Sequence, residues 1–384
     1  MREVYIIGAG MTQFGKHPDR GLRSLGFEAC LNALRDAGIT PKEIEAGYCG
    51  NALAPAIQGE TGVGQNVFWE VGINGIPIVN IENACASGSS ALREGWMAVA
   101  GGFYDIVIVV GVEKTVMPKG TMLNVGAGEL ETKLGDVFPG HFALIAKKHM
   151  ERYGTTLEQL ARVSVKNHFN GSLNSYAQFQ KLLTVEEILN SPMIAEPLTL
   201  YSCCPNSDGA AALILCNARK ARKMTTPKIK IVASVLTTGN YDNQRDITVW
   251  EVEQRAAEKA YQMASLGPKD LDLVEVHDAF TISEIIHYEG LGLCPLGEGG
   301  RFIEQGTTEL NGRIPVNPSG GLLAKGHPVG ASGVAQVVEI VWQLRGEAGK
   351  RQVKNARVGL AQIMGGNKEG DTRACTVHIL VRHK

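Results

Sequence analysis

Cys85 has the residue type and the sequence setting of a nucleophile. It lies in the small-residue segment Asn83–Ser90, between a strand pattern at Ile76–Ile81 and a helix pattern over Gly88–Ala100. This order places the thiol at a strand-to-helix turn, where backbone N–H groups and the helix dipole favour a thiolate. The small neighbours leave room for an acyl carbonyl to reach the sulfur and to bind nearby N–H groups. A cysteine in isolation would more often be a buried structural residue, but this setting favours a nucleophile.

Two histidines have settings that would complement this thiol. His327 lies in the Gly/Ser-rich segment Asn317–Gly333, which opens a helix and corresponds to the Cys85 loop in a second, similar half of the chain. An imidazole there could take the thiol proton or hydrogen-bond to an acyl carbonyl, although a histidine before proline is often structural. His277 ends a strand pattern, at the sheet edge where α/β proteins bind ligands, and could donate to a developing enolate oxygen. The alternative for His277 is an ordinary strand-end pair with Asp278.

The elements that would position these residues occur twice along the chain. Glu3–Ala9 aligns with Lys230–Leu236, and Pro41–Glu45 aligns with Pro268–Asp272 at the same offset. Each copy has the periodicity of a strand, a helix, a Pro-led turn and a second strand, which is typical of a βαβ unit. Two like α/β halves would bury one face against each other and form a layered sandwich.

This repeat predicts a three-part organisation. Residues 1–113 together with 198–222 would form the first half, and residues 223–384 the second. Residues 114–197, with Gly-rich loops and amphipathic helices, would be an inserted loop domain. Ser207–Leu215 would then be a return strand that completes the first half.

Composition excludes several classes of protein. Of the 384 residues, 44% are hydrophobic and 20% charged, and the net charge is −1, which indicates a globular protein without a nucleic-acid or membrane-binding footprint. The longest apolar run, Ile106–Val112, is strand-sized, and the N-terminus begins with a strand pattern rather than a targeting peptide. The eight cysteines contain no C-x-x-C pair, so we expect a reduced, cytoplasmic protein without a metal site.

Four motifs in order resemble the thiolase superfamily, most nearly the sterol-carrier-protein-type and archaeal-type thiolases, which are acetyl-CoA acyltransferases. They are the Cys85 segment, His277–Phe280, Gly320–Gly333 and Ile363–Gly366. The resemblance spans the whole chain and implies the α/β thiolase fold: five layers, α-β-α-β-α, built from two duplicated halves plus an inserted loop domain. It also implies CoA-dependent thiolytic cleavage of a 3-oxoacyl-CoA, or the reverse Claisen condensation, through an acyl-Cys85 intermediate.

The resemblance further implies roles and partners. His327 would activate Cys85 and help to hold the thioester oxygen, and His277 would stand where many thiolases place an enolate-binding asparagine. The backbone of Cys85 and Gly365 would form the second oxyanion hole. Coenzyme A would lie along the loop domain as a substrate, with no permanently bound cofactor. We expect a homodimer or a dimer of dimers, a small zinc-ribbon/OB-fold partner subunit, and neither nucleic acid nor membrane as a partner.

The acid/base cysteine that usually moves the α-carbon proton has no counterpart at either place where the family carries it. Ile363 occupies the usual position, and Ala279 occupies the position used by some sterol-carrier-type members. His141, beside a Gly turn of the inserted segment, is a candidate substitute, with a packing histidine as the alternative. The vicinal pair Cys203 and Cys204 is interpreted as packing.

The sequence is compatible with four functions. The missing second cysteine indicates a specialised thiolase for a branched or aromatic acyl-CoA, such as benzoylsuccinyl-CoA, or an archaeal-type acetoacetyl-CoA thiolase. A thiolase-like retro-aldol lyase of the sterol side-chain type would not need an acyl-cysteine, and the intact Cys85 loop argues against it. A non-catalytic acyl-CoA-binding scaffold would not need Cys85, His277 and His327 together.

Overall fold

A mixed sheet of nine strands runs through the part of the protein that the structure describes. The structure is a computed structural model, and it describes residues 1–115, 129–224, 227–240, 246–368 and 371–383. The strands are β1 (Val4–Met11), β2 (Ala46–Gly50), β3 (Ile78–Ile81), β4 (Ile106–Lys114), β5 (Met193–Ala195), β6 (Leu198–Thr199), β7 (Asp208–Asn217), β8 (Lys228–Thr237), β9 (Leu273–Glu275), β10 (Val358–Lys368) and β11 (Asp371–His383). Strands β5 and β6 form a separate two-stranded sheet.

Fourteen helices surround or separate these strands in the described ranges. They are α1 (Leu22–Ala37), α2 (Ala54–Ile57), α3 (Val63–Val71), α4 (Ser87–Ala100), α5 (Leu130–Lys133), α6 (Phe138–Tyr153), α7 (Leu157–Ser172), α8 (Val185–Leu189), α9 (Ala218–Ala221), α10 (Glu251–Ala264), α11 (Thr281–Gly290), α12 (Gly299–Glu304), α13 (Gly321–Lys325) and α14 (Val329–Arg345). None of the helices in these ranges combines the length and apolar character that crossing a bilayer requires.

The strand order shows that the two halves mirror each other. The order is β3-β2-β4-β7-β1-β8-β11-β10-β9, so the first five strands belong to one half and the last four to the other. Strand β2 is parallel to β4, which is antiparallel to β7, and in the second half β9 is parallel to β10, which is antiparallel to β11. The halves join where β1 pairs antiparallel with β8.

Three large hydrophobic cores define the layers. Helices α4 and α14 share a core with strands of both halves, so they form the middle layer. The outer face of the first half-sheet packs on α1 and α3, and that of the second packs on α10 and α11. Strands buried on both faces need continuous apolar runs, and β4 is such a run. This arrangement is the predicted α-β-α-β-α fold.

The repeat predicted from the sequence is confirmed for its elements. In the first half β1, α1, a 3₁₀ turn at Pro41–Glu43 and β2 follow one another. In the second half β8, α10, a 3₁₀ turn at Pro268–Asp270 and β9 do the same. Strand β7 pairs with β1 and β4, as expected of a return strand. Between β4 and β7 lie α5–α8 and the β5–β6 sheet, with residues 116–128 of the predicted inserted domain outside the described ranges, and the limits of that domain stay a prediction.

The two middle helices approach each other closely at their first turns. A Cβ atom added to Gly88 in α4 would lie 2.3 Å from the carbonyl oxygen of Gly330 in α14. Only glycine allows this approach, because no side-chain atom fits between the two backbones. The contact brings the start of α4, which follows Cys85, against the start of α14, which follows His327.

Candidate active site

Cys85 lies in a tight turn between β3 and α4. The preceding residue, Ala84, has a φ of 47°, in the left-handed region that a residue other than glycine seldom adopts. Hydrogen bonds hold this turn: the Ser87 hydroxyl donates to the Ala84 carbonyl at 2.6 Å and accepts from the Asn83 N–H at 2.9 Å. A strained turn held in this way by its neighbours is typical of a functional site.

The thiol of Cys85 contacts the imidazole of His327. The distance from Cys85 Sγ to His327 Nε2 is 3.2 Å, and His327 Nδ1 lies 2.8 Å from the Ser332 hydroxyl. Ser332 donates its single proton to the carbonyl of Pro328, so its oxygen accepts from Nδ1–H of His327. This hydrogen bond leaves the lone pair of Nε2 directed at the sulfur, and the imidazole is therefore set to receive the thiol proton.

Both partners of this contact are neutral in the free protein. Burial raises the pKa of Cys85 to about 12, although the N–H groups of Gly366 and of Cys85 itself lower it. Burial also lowers the pKa of His327 to about 3. Burial therefore favours the neutral thiol, because desolvation outweighs the backbone dipoles that favour a thiolate at the helix start. The proton is instead transferred to His327 as the sulfur attacks.

His277 completes a group of three reactive side chains. A ring nitrogen of His277, one of His327 and the sulfur of Cys85 all lie within 4.8 Å of one another. The backbone of His277 is held by its N–H donating to Gln362 and by its carbonyl accepting from His287. Nε2 of His277 is buried and has no hydrogen-bond partner among the described residues, so it can bind a substrate atom. Thiolate and imidazole are also common zinc ligands. Among the described residues, these three side chains are close enough together to bind a metal ion.

Asp278 anchors the loop that carries His327. Its carboxylate accepts from the N–H groups of Leu322 and Leu323 at 2.7 and 3.2 Å, at the first turn of α13. The side-chain amide of Asn167 donates to the same carboxylate at 2.7 Å. Burial, with the charge of Glu284, raises the pKa of Asp278 to about 8. The interpretation of residues 277 and 278 as an ordinary strand-end pair is therefore wrong, because the carboxylate bonds to α13 and α7.

The three reactive side chains open on one cavity of about 270 Å³. Its wall is mainly apolar and draws residues from α6, from the segment before β7 and from one end of the second half-sheet. Phe142 and Phe280 stack with their ring centroids 4.4 Å apart, and Trp250 packs edge-on against Phe142 at 6.4 Å. An apolar, aromatic wall strengthens electrostatic interactions with any substrate held beside Cys85, because it lowers the local dielectric constant.

His141 lies at the border of this cavity, in the first turn of α6. Its Nε2 is 3.3 Å from the side-chain nitrogen of Asn367, and its Nδ1 is 3.9 Å from a carboxylate oxygen of Asp136. The inserted segment thus contributes to the same cavity as Cys85. The use of His141 as a proton carrier stays a prediction.

The glycines of the C-terminal motif pack against the nucleophile turn. A Cβ atom on Gly365 would lie 2.0 Å from the carbonyl oxygen of Asn83, so only glycine fits there. Gly366 lines the cavity, and its N–H lies beside the sulfur of Cys85. The assignment of Gly365 to an oxyanion hole stays a prediction.

Sequence reasoning missed several residues that line or support the cavity. Cys203 and Cys204, interpreted as packing, both line the cavity, as does Trp250. The one available signal was their place directly before the return strand β7, where the chain leaves the inserted segment. Ser332 was also missed as a partner of His327, although it lies five residues further on, in the first turns of α14.

Comparisons with known proteins agree with this architecture. The family model "Thiolase, N-terminal domain" matches residues 4–219, and "Thiolase C-terminal domain-like" matches residues 233–379. The chain is 47% identical to the acetyl-CoA acetyltransferase of Methanothermobacter thermautotrophicus, over 100% of both chains. It is 38% identical to the benzoylsuccinyl-CoA thiolase subunit BbsB of Thauera aromatica, over 95% of each.

A solved structure agrees as well. The Ltp2-ChsH2(DUF35) aldolase superposes with a TM-score of 0.85 at 26% identity, over 99% of this chain and 98% of that chain. Two matching domains, full-length relatives and a paired cysteine and histidine in one cavity lead to the same conclusion. The chain belongs to the thiolase family and is an acyltransferase.

Proposed function

We propose that this enzyme is a thiolase that interconverts acetoacetyl-CoA plus coenzyme A with two molecules of acetyl-CoA, through an acyl group on Cys85. The observation that carries the proposal is the 3.2 Å contact between Cys85 Sγ and the unprotonated Nε2 of His327. This contact opens on a mainly apolar cavity, which also contains an imidazole nitrogen that no described residue hydrogen-bonds.

Cleavage begins with proton transfer inside this contact. Nε2 of His327 takes the thiol proton as Cys85 Sγ attacks the C3 carbonyl, and the oxyanion is bound by backbone N–H groups at the nucleophile turn. The C2–C3 bond then breaks, and the electron pair moves to an enolate whose oxygen accepts a hydrogen bond from His277. Coenzyme A attacks the acyl-cysteine, and the leaving sulfur of Cys85 regains its proton from His327.

The cavity accepts a short acyl group, although its volume does not exclude an aromatic one, since a cavity of about 150 Å³ can hold benzene. Ligand cavities commonly measure about 300–1,000 Å³, and this one, at about 270 Å³, is slightly smaller. The aromatic stack of Phe142 on Phe280 forms part of the cavity wall that an acyl group would contact. The 47% identical, full-length relative named as an acetyl-CoA acetyltransferase is a further support. A branched or aromatic substrate, as in the 38% identical benzoylsuccinyl-CoA thiolase subunit, is the alternative within the same chemistry.

A panel of 3-oxoacyl-CoAs tests this proposal. Thioester cleavage with coenzyme A would be measured for straight, branched and aromatic substrates, with Cys85→Ala beside the parent. We expect the highest kcat/KM for acetoacetyl-CoA and no cleavage by Cys85→Ala. A preference for the aromatic substrate would overturn the short-chain assignment, and cleavage that survives loss of the thiol would overturn the mechanism.

A retro-aldol lyase is the second candidate, and the likeness to the Ltp2-ChsH2(DUF35) aldolase favours it. Retro-aldol cleavage neither consumes coenzyme A nor needs an acyl-cysteine, whereas the Cys85–His327 contact is suited to acylation. Measuring the consumption of coenzyme A separates the two reactions. Only a thiolase consumes one molecule of coenzyme A for each C–C bond that it cleaves. A non-catalytic scaffold would bind acyl-CoA but would cleave no substrate and consume no coenzyme A.

We also propose that the enzyme is a cytoplasmic homodimer, or a dimer of dimers, with a small zinc-ribbon/OB-fold partner subunit. Strand β3 lies at the edge of the sheet and exposes Val79 at 45%, and an exposed strand edge can pair with another chain. The name of the Ltp2-ChsH2(DUF35) aldolase joins two components. Light scattering of the purified chain tests the first point, and co-purification with co-expressed small zinc proteins tests the second.

A further inference from the structure

The proposed reaction needs one proton carrier that Cys85, His277 and His327 do not supply. Cleavage delivers a proton to C2 of the departing enolate, and condensation removes it from an acyl-CoA. Positioned acid–base groups contribute about 10²–10⁴-fold to such steps. The side chains of Ile363 and Ala279, at the two places where relatives are expected to hold this group, cannot exchange a proton.

The segment before β7 brings a thiol beside Ala279. The N–H of Cys204 donates to the carbonyl of Ala279 at 2.9 Å, and Cys203 forms an antiparallel bridge with Phe280. The two segments therefore run side by side, and Cys204 lies next to the methyl group of Ala279. Cys204 and Ala279 line the same cavity as Cys85.

The thiol of Cys204 is also close enough to Cys85 for their charges to interact. Burial raises the pKa of Cys204 well above its ordinary value, and the charges of Cys203, Cys85 and Asp278 raise it further. Cys204 is therefore a neutral thiol in the free enzyme. A neutral thiol facing the cavity is an acid that can give its proton to a carbanion formed there.

Two other side chains that line the cavity, those of Cys203 and His141, have polar contacts with other residues. The thiol of Cys203 donates to the carbonyl of Thr199 at 3.4 Å, which directs its proton away from the cavity. The two ring nitrogens of His141 face Asn367 and Asp136. Cys204 is thus the thiol whose position matches the step that is missing.

We propose that Cys204 is the catalytic acid and base that moves the α-carbon proton, in place of the cysteine absent at residues 279 and 363. The proposal rests on the proposed thiolase function. During cleavage the electron pair of the broken C2–C3 bond takes the proton of the Cys204 thiol, forming a C2–H bond and a thiolate. Coenzyme A then gives its thiol proton to Cys204 as its sulfur attacks the acyl-cysteine, and His327 returns its own proton to Cys85. Condensation follows the same transfers in reverse.

Two half-reactions separate this role from that of Cys85. In the first, the enzyme is incubated with acetyl-CoA in D₂O, and deuterium in the methyl group is measured by mass spectrometry. In the second, acetyl transfer from acetyl-CoA to isotopically labelled coenzyme A is measured. No C–C bond breaks in this half-reaction, so Cys204 stays a thiol. His327 passes the Cys85 proton to the departing coenzyme A and takes the next one from the incoming coenzyme A. We expect Cys204→Ala to lower deuterium uptake about 10²–10⁴-fold and to leave acetyl transfer within a few fold of the parent.

Cys294→Ala is the matched control, because it removes a half-buried thiol that does not line the cavity. It should leave both half-reactions close to those of the parent. If Cys204→Ala lowers the melting temperature strongly, Cys204→Ser replaces it, since a hydroxyl preserves the shape but is a far weaker acid. We expect the same loss of deuterium uptake from that variant.

Unchanged deuterium uptake in a folded Cys204 variant, with acetyl transfer intact, would overturn the assignment and leave the thiolase function standing. The same conclusion would follow if His141→Ala lost uptake while the Cys204 variants kept it. Absence of acetyl transfer in the parent would instead refute the thiolase function itself.

Discussion

Replacement of Ser332 by alanine tests how His327 is prepared to receive the thiol proton. The Ser332 hydroxyl accepts from Nδ1–H of His327 at 2.8 Å and donates to the Pro328 carbonyl at 2.9 Å. It is 1% exposed and does not line the cavity, so it acts on the substrate only through the imidazole. Ser332 is therefore a positioning residue.

The size of the effect follows from the hydrogen bond that is lost. In Ser332→Ala the buried Nδ1–H of His327 has no acceptor, and an unsatisfied buried donor costs about 1–3 kcal/mol. The variant therefore loses the preference for the tautomer whose Nε2 lone pair faces Cys85. Since 1.36 kcal/mol corresponds to a factor of ten in rate, we expect acylation of Cys85 to slow by about 5- to 150-fold.

The assay is the release of coenzyme A during a single round of Cys85 acylation by acetyl-CoA. The rate constant should fall while the half-saturating acetyl-CoA concentration stays the same, because the cavity wall is unchanged. Ser283→Ala is the matched control: Ser283 is also a helical serine with 1% exposure, but no residue in the described part of the chain hydrogen-bonds to its hydroxyl. An acylation rate for Ser332→Ala within twofold of both the parent and the control would refute the reasoning.

Three further predictions follow from the site. Because burial lowers the pKa of His327 from 6.5 to about 3, its base form persists in weak acid. The rate of Cys85 acylation should stay constant from about pH 8 to about pH 5, and a decline centred near 6.5 would contradict this pKa. Gly365→Ala would place a Cβ 2.0 Å from the Asn83 carbonyl oxygen, so urea unfolding should show a loss of about 1–3 kcal/mol, with acylation abolished. Gly15→Ala, which meets no atom within 4 Å, should match the parent, and an equal result for both variants would argue against the packing explanation. Phe142→Ala removes one ring of the aromatic stack and should raise kcat/KM for an aromatic 3-oxoacyl-CoA, relative to acetoacetyl-CoA, by about tenfold; an unchanged ratio would show that this wall does not select the acyl group.

The features that the sequence predicted are those encoded in local order and repetition. The strand, helix and Pro-led turn at Pro41–Glu43 recur at Pro268–Asp270, and the structure has the same turns at both places. Once the halves are known to be alike, the Cys85 loop and the His327 loop must occupy equivalent positions at the middle layer. Their meeting at 3.2 Å is the consequence of that symmetry.

The features that it missed depend on contacts between distant segments. Nothing near Cys204 in the chain indicates that its N–H bonds to Ala279, 75 residues away along the sequence. The protonation of the Cys85 thiol also depends on distant segments, since the helix start is visible in the sequence but the burial of the sulfur is not. Desolvation is a property of all surrounding segments together, and here it outweighs the local dipoles.

The most direct test of the account is the identification of the acylated atom. The parent would be incubated with acetyl-CoA, quenched in acid and digested, and the peptides analysed by mass spectrometry, with Cys85→Ser and His327→Ala beside it. We expect an acetyl group on the peptide that contains Cys85, none at this position in Cys85→Ser, and slower formation in His327→Ala. Turnover of acetoacetyl-CoA by a protein that never carries an acyl group on Cys85 would contradict the account.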